Sequence, residues 1–206
     1  MYRVIASGST GNAVLYHNSI LIDIGVPFAL LKPHIKSIQL VLLTHCHKDH
    51  INMTALKKLV AERPTLRIGC GAHMKEYVEG FKNVDYYEPG KFYEYASFSI
   101  CPIKLYHDVE NFGYRIFKGE TKILHCTDTA HLEGITAKDY DLYSIEHNYD
   151  AETVYTLIAQ QEALGHYAHQ RGSVNSHLSE QDARDFIFKH KGSHSQVLRL
   201  HETKSF

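Results

Sequence analysis

No run of about 18 apolar residues occurs anywhere in the sequence, so no membrane-spanning helix is expected. The opening Met1-Tyr2-Arg3-Val4-Ile5 reads at once as a strand, without the charged stretch and long apolar segment of a secretion signal. Cysteine is scarce. Its four copies, Cys46, Cys70, Cys101 and Cys126, form neither a C-x-x-C pair nor the dense spacing of a small secreted scaffold. They read as free thiols in a reducing cytoplasm. An excess of positive charge is missing too: 22 Lys and Arg face 23 Asp and Glu, for a formal net charge of −1. That balance excludes a broad non-specific nucleic-acid surface, which rests on many Lys/Arg–phosphate contacts, but leaves room for a local basic groove. Linkers, low-complexity stretches and short tandem repeats are also lacking. A chain of 206 residues, 44% hydrophobic, is therefore expected to form one domain, 1–206, with a real core.

What the chain has in excess is histidine, 16 copies, and they are not scattered evenly. Thr44-His45-Cys46-His47-Lys48-Asp49-His50 follows the apolar run Leu40-Val41-Leu42-Leu43, which reads as a buried strand. Imidazole suits zinc, manganese or iron, and the Asp49 carboxylate adds a hard oxygen. His45 and His47, two apart, can point the same way from an extended segment, while Asp49 and His50 sit where the chain turns. One pair can then serve one metal and the other a neighbour about 3.5–4 Å away, the separation of two-metal hydrolases.

Around this loop the periodicity predicts strands over 2–6, 12–17, 19–23 and 38–44, and a short helix over Phe28–Leu31. A helix over 52–62 carries Leu56, Leu59 and Val60 at i, i+3, i+4, capped by Asn52 or Thr54. A second is expected over 72–81 and a third, the most amphipathic, over 151–164 with Val154, Leu157, Ile158 and Leu164 inward. Aromatic-rich strands fill 83–105, and residues 166–176 read as a polar loop. Ser179 and Asp182 make a variant capping box for the last helix. Ser7-Gly8-Ser9-Thr10-Gly11-Asn12 is glycine-rich but lacks the strand-to-helix context and lysine of a phosphate loop.

The motif T-H-x-H-x-D-H resembles the signature of the metallo-β-lactamase fold, and within it the chain is most similar to the YycJ/WalJ-type, ribonuclease Z-like group. The resemblance runs over most of the sequence: the S-G-S-x-G-N opening, Asp23 followed by Gly25, His107-Asp108 before Gly113-Tyr114, Thr127-Asp128-Thr129, Glu146-His147-Asn148 and His177-Leu178-Ser179. It implies an α+β fold, an αββα sandwich of two β-sheets flanked by helices. It implies two divalent metal ions, zinc or manganese: His45, His47 and His107 on one, Asp49, His50 and His177 on the other, with Asp128 bridging. Asp23 would orient the metal loop. Asp49 would double as a proton acceptor, and His147, where the group has a small residue, is either a proton donor or a corner histidine in solvent. Asn12 belongs to a tight turn or faces substrate, Asn148 is implied as a substrate contact, and Asp108 orients His107 or meets substrate. Arg171, a planar fork suited to phosphate, is either a phosphate contact or a solvated loop charge.

The activity so implied is hydrolysis of a phosphodiester in nucleic acid by a dinuclear-metal-activated hydroxide. Two other activities fit the same motif. One is a cyclic-mononucleotide phosphodiesterase of the phage anti-defence type, favoured by the balanced charge. The other is a glyoxalase-like thioester or lactone hydrolase, which needs an apolar pocket and no Arg171. A homodimer is the assembly known in such relatives, and no membrane partner is expected.

Overall fold

The computed structural model describes residues 1–164 and 170–202. They form two compact units, Met1–Lys91 and Phe92–Phe206, each built on one six-stranded mixed sheet.

In the first unit the sheet runs in chain order: β1 (Tyr2–Ala6), β2 (Ala13–Tyr16), β3 (Ile20–Ile22), β4 (Leu40–Leu42), β5 (Arg67–Gly71) and β6 (Val84–Tyr87). The first two pairings are antiparallel, and β3 through β6 pair in parallel. Parallel strands need both faces covered, so they read as unbroken apolar runs; β3 and β4 are buried at every residue. Between the strands lie α1 (Phe28–Leu31), α2 (Met53–Glu62) and the single-turn α3 (Lys75–Val78). The side chain of Asn52 caps α2 by accepting from Ala55 N at 3.1 Å, and Ala55, Leu56 and Leu59 bury one face. The predicted helix over 72–81 is shorter than expected. Residues Ala72–Met74 form a 3-10 turn, α3 stops at Val78, and Gly80 turns the chain away at φ 89°.

The second unit repeats the plan. Its sheet comprises β7 (Tyr93–Tyr95), β8 (Phe98–Tyr106), β9 (Glu110–Lys118), β10 (Thr121–Cys126), β11 (Leu142–Glu146) and β12 (Gln196–Leu200). Strands β7 to β10 pair antiparallel, whereas β10, β11 and β12 run parallel. Its helices are α4 (Ala151–Ala163), α5 (Gln170–Ser176) and α6 (Glu180–His190). Asp150 caps α4 through Thr153 N at 2.9 Å. Ser179 caps α6 through Asp182 N at 3.0 Å, the box expected from the sequence.

Two expectations change here. Residues 170–176 are helical, not loop, while 165–169 lie outside the described residues. Leu164, expected inward, is 71% exposed, because α4 has ended by that residue and its buried face is only Val154 and Ile158. The fold class matches the expectation: two mixed sheets with their helices in an α+β arrangement.

Candidate metal centre

Parallel pairing decides which residues meet. In the first unit Ile22 of β3 is in register with Leu42 of β4, so both strands end together and release Asp23 and Thr44 side by side. Asp23 takes a left-handed turn, φ 59°, and its Oδ1 accepts from Thr44 N at 2.9 Å. Its Oδ2 lies 2.6 Å from His50 Nδ1, and Thr44 Oγ1 lies 2.9 Å from His45 Nδ1. Each of these two rings is thus held at Nδ1, which fixes its orientation and turns Nε2 away from that partner, as second-shell partners do for metal-binding histidines. The His45 ring centre is 4.1 Å from that of His50 and 4.7 Å from that of His47. Asp23, His45 and His50 are all buried. Burial pushes the Asp23 carboxyl up, against the downward pull of His50. Asp23 therefore orients the loop, as the resemblance implied.

Gly25 makes this loop possible. A Cβ there would sit 1.7 Å from the carbonyl oxygen of Asp49, so any other residue would force the two backbones apart. The same closeness defines Asn12. Its Oδ1 accepts from Gly8 N at 2.9 Å, and its amide nitrogen lies 3.2 Å from Asp49 Oδ2 and 2.8 Å from His50 Nε2. Asn12 is buried. Of the two possibilities, turn or substrate, the geometry supports a brace between the glycine-rich turn and the histidine loop.

In the second unit, β10, β11 and β12 end in step: Cys126 pairs with Ile145, and Glu146 with Leu200. Asp128, Glu146 and His201 therefore emerge at one edge. The antiparallel β8–β9 hairpin brings its own tip, His107-Asp108-Val109, to the same edge, because β9 runs opposite to β10. His177 arrives from the segment before α6, which is tied to the end of β11 through Asn148 N to Leu178 O at 3.0 Å and Glu180 N to Tyr149 O at 2.9 Å. Asp128, Glu146, His177 and His201 each offer a donor atom, all within 4.8 Å of one another. Imidazole nitrogens and carboxylate oxygens without a thiolate form a donor set that fits a divalent metal.

Glu146 is fully buried and organises this edge. Its Oε2 accepts from Thr129 N at 3.0 Å and from Leu178 N at 3.2 Å, while Oε1 lies 2.5 Å from His177 Nδ1. Burial opposes charge on His177, but the carboxylates of Asp128 and Glu146 outweigh it and push the ring up to about 10. Asp128 takes a left-handed backbone, φ 53°, held by Asn111, whose amide donates to the carbonyls of Thr127 and Asp128 at 2.9 and 2.6 Å. His107 Nδ1 lies 2.7 Å from the Ser176 carbonyl, and burial pulls its ring down, toward the neutral form that ligates metal. Asp108 Oδ1 lies 3.0 Å from His107 Nε2, within reach to orient it.

Two expected residues, His147 and Asn148, do not join the donor set. His147 follows Glu146, and strand alternation turns it to the opposite side. There it faces a groove of about 550 Å³ lined by Arg184, Phe188, Lys191 and Arg199, with Nδ1 2.9 Å from the Ile145 carbonyl. Asn148 is buried against His201, its amide 2.8 Å from that ring's Nδ1, which makes it a support for His201 in place of a substrate contact. Arg171 lies on α5, and its side chain is outside the described residues. Conversely, Glu146 and His201 were not anticipated. Both sit at the ends of parallel strands adjacent to β10, the signal that could have found them.

The domain shared by the β-lactamase superfamily matches residues 19–190, and the chain belongs to that superfamily. With its His/Asp donor sets, it is a metal-dependent hydrolase of that class. No curated protein sequence matches the chain. Among solved structures it is similar to the metallo-β-lactamase fold protein YhfI from Bacillus subtilis, with TM-score 0.74 and 19% identity, over 100% of this chain and 86% of that one. Human tRNase Z, short form, gives TM-score 0.70 at 14% identity, covering 98% of this chain and 92% of that one. A diphosphatase from the PhnP family gives 0.65 at 15% identity, covering 98% and 86%. At such identities these structures define the fold. No helix among the described residues is long and apolar enough to cross a membrane.

Proposed function

We propose that the protein is a metal-dependent phosphodiesterase acting on nucleic acid or a nucleotide. The observation that carries the reading is the His177–Glu146 pair at the edge of the donor set: Nδ1 of the ring lies 2.5 Å from Glu146 Oε1 and 3.5 Å from Asp128 Oδ1. An imidazole held by one buried carboxylate and close to a second is placed to hand a proton to a departing alkoxide, the leaving group of a phosphodiester. The similarity to a tRNase Z is in keeping with a nucleic-acid substrate.

In this reading His45, His47, Asp49 and His50 supply ligands from the first unit, and His107 and Asp128 from the second. The ions proposed for these ligands are divalent, zinc or manganese. In this reading the last ligand is His201, whose Nε2 lies 3.6 Å from Asp128 Oδ1 with Asn148 behind the ring, and His177, the ligand that the resemblance implied, serves instead as the proton donor. Bound divalent ions would supply the Lewis acidity that lowers the pKa of water and offsets charge on phosphoryl oxygens. The chain's own work is to hold both rings of the His45/His50 pair at Nδ1, to fix Asp128 through Asn111, and to store a proton on His177. Asp49 is the proton acceptor on the attacking side.

One competition assay tests this. Manganese- or zinc-loaded protein meets linear duplex DNA, single-stranded RNA, 3′,5′-cyclic mononucleotides and a glutathione thioester together, and products are resolved by chromatography. Cleaved polymer or opened cyclic nucleotides, abolished in Asp128→Ala, support the reading and divide its two substrate classes. Thioester hydrolysis with the diesters intact would overturn it.

A further inference from the structure

Beside the donor set stands an aromatic pair with no part in it. Tyr106 ends β8 immediately before His107, and its ring stacks on that of His131, with ring centres 4.0 Å apart and an interplanar angle of 27°. Tyr106 is 44% exposed, while its strand neighbour Leu105 is buried, so the alternation of β8 turns the ring outward by construction.

The pair is rigid. Tyr106 N donates to Thr129 Oγ1 at 3.0 Å, that hydroxyl donates to the His131 carbonyl at 2.9 Å, and Ala130 N donates to the Tyr106 carbonyl at 2.6 Å. The His131 ring is fixed in turn by Glu133 N, which donates to Nδ1 at 3.3 Å. Both rings are thereby tied to the backbone on either side of two candidate ligands, His107 and Asp128. Core packing does not account for this, because an aromatic that serves the core is covered. A flat, wet, immobilised face at the rim of a polar site matches what single-stranded nucleic acids meet in proteins that stack their bases.

We propose that Tyr106, backed by His131, is a stacking platform for a nucleobase of the substrate, which narrows the substrate class to diesters bearing a base next to the scissile phosphate. This rests on the phosphodiesterase reading above. Base–aromatic stacking is insensitive to which base is present, so the platform predicts a requirement for a base without a preference among the four.

The test compares Tyr106→Leu and Tyr106→Phe with the parent chain, folding being checked by thermal melting. Metal-loaded proteins receive a dinucleoside monophosphate and the same diester with one base replaced by hydrogen. The expected result is that the ratio of kcat/KM values, base-bearing over abasic, falls roughly tenfold to a hundredfold in Tyr106→Leu and holds in Tyr106→Phe. An unchanged ratio in a folded Tyr106→Leu overturns the proposal. Should the parent chain cut no diester, the phosphodiesterase reading fails on its own, and calorimetric binding of AMP against ribose 5-phosphate still decides the platform. A preference for AMP that disappears in Tyr106→Leu supports it, and equal binding of the two by the parent chain overturns it.

Discussion

Glu146 Oε1 and His177 Nδ1 lie 2.5 Å apart, and the other oxygen of the same carboxylate takes the backbone N–H groups of Thr129 and Leu178. One fully buried side chain thus sets the position of the proposed proton donor, of the loop that carries Asp128 and of the segment that delivers His177. Replacing it with glutamine keeps the volume but puts an amide where an anion faced the imidazole. Glu146→Gln is expected to lower kcat on a diester by roughly 10²–10⁴, the span of a lost general acid. Two backbone donors compromised in a buried place add about 1–3 kcal/mol of instability. Steady-state kinetics and a denaturant titration on the same preparation read both effects, and an unchanged kcat would remove His177 from the chemistry.

Asp23 holds His50 through Oδ2 and the start of the histidine loop through Oδ1. Asp23→Asn keeps the shape and removes the charge behind the ring. Metal affinity is expected to fall about 10- to 100-fold, the usual effect of removing a carboxylate behind a metal-binding histidine. Chelator competition followed by metal analysis measures it. Full retention of metal would mean that the loop orients itself without Asp23.

His147 faces the groove lined by Arg184, Phe188, Lys191 and Arg199 and not the donor set. His147→Ala is therefore expected to keep its metal and hydrolyse diesters within about twofold of the parent, while losing about 1–3 kcal/mol of stability for a buried ring removed. A large loss of turnover at full metal content would show that the histidine reaches substrate after all.

Much of this was legible in the chain because the signals were local. The histidine loop declares itself through four donors in six positions after an apolar run, Asn52 and Ser179 announce their helices, and Asp23 and Gly25 fall where the motif puts them. Gly25 adds a reason that no pattern states, the 1.7 Å approach to the Asp49 carbonyl. What escaped was non-local. Nothing in the sequence next to Glu146 or His201 marks either as a neighbour of Asp128. Only the parallel register of β10, β11 and β12 shows that their ends emerge together beside Asp128. His147 stands away from the donor set because a one-residue step along a strand reverses the side of a side chain, whereas Asn148, a further step on, stays beside His201.

The central claim is that these residues hold metal and that the metal carries the hydrolysis. Chelator-stripped protein should be dialysed against manganese or zinc, its bound metal counted by mass spectrometry, and hydrolysis of a nucleic-acid diester followed on the same samples, with Asp128→Ala alongside. The account predicts two metal equivalents per chain, activity that appears only on reloading, and loss of one or both equivalents with the activity in Asp128→Ala. Undiminished hydrolysis by the stripped protein, or full metal content and turnover in Asp128→Ala, would contradict it.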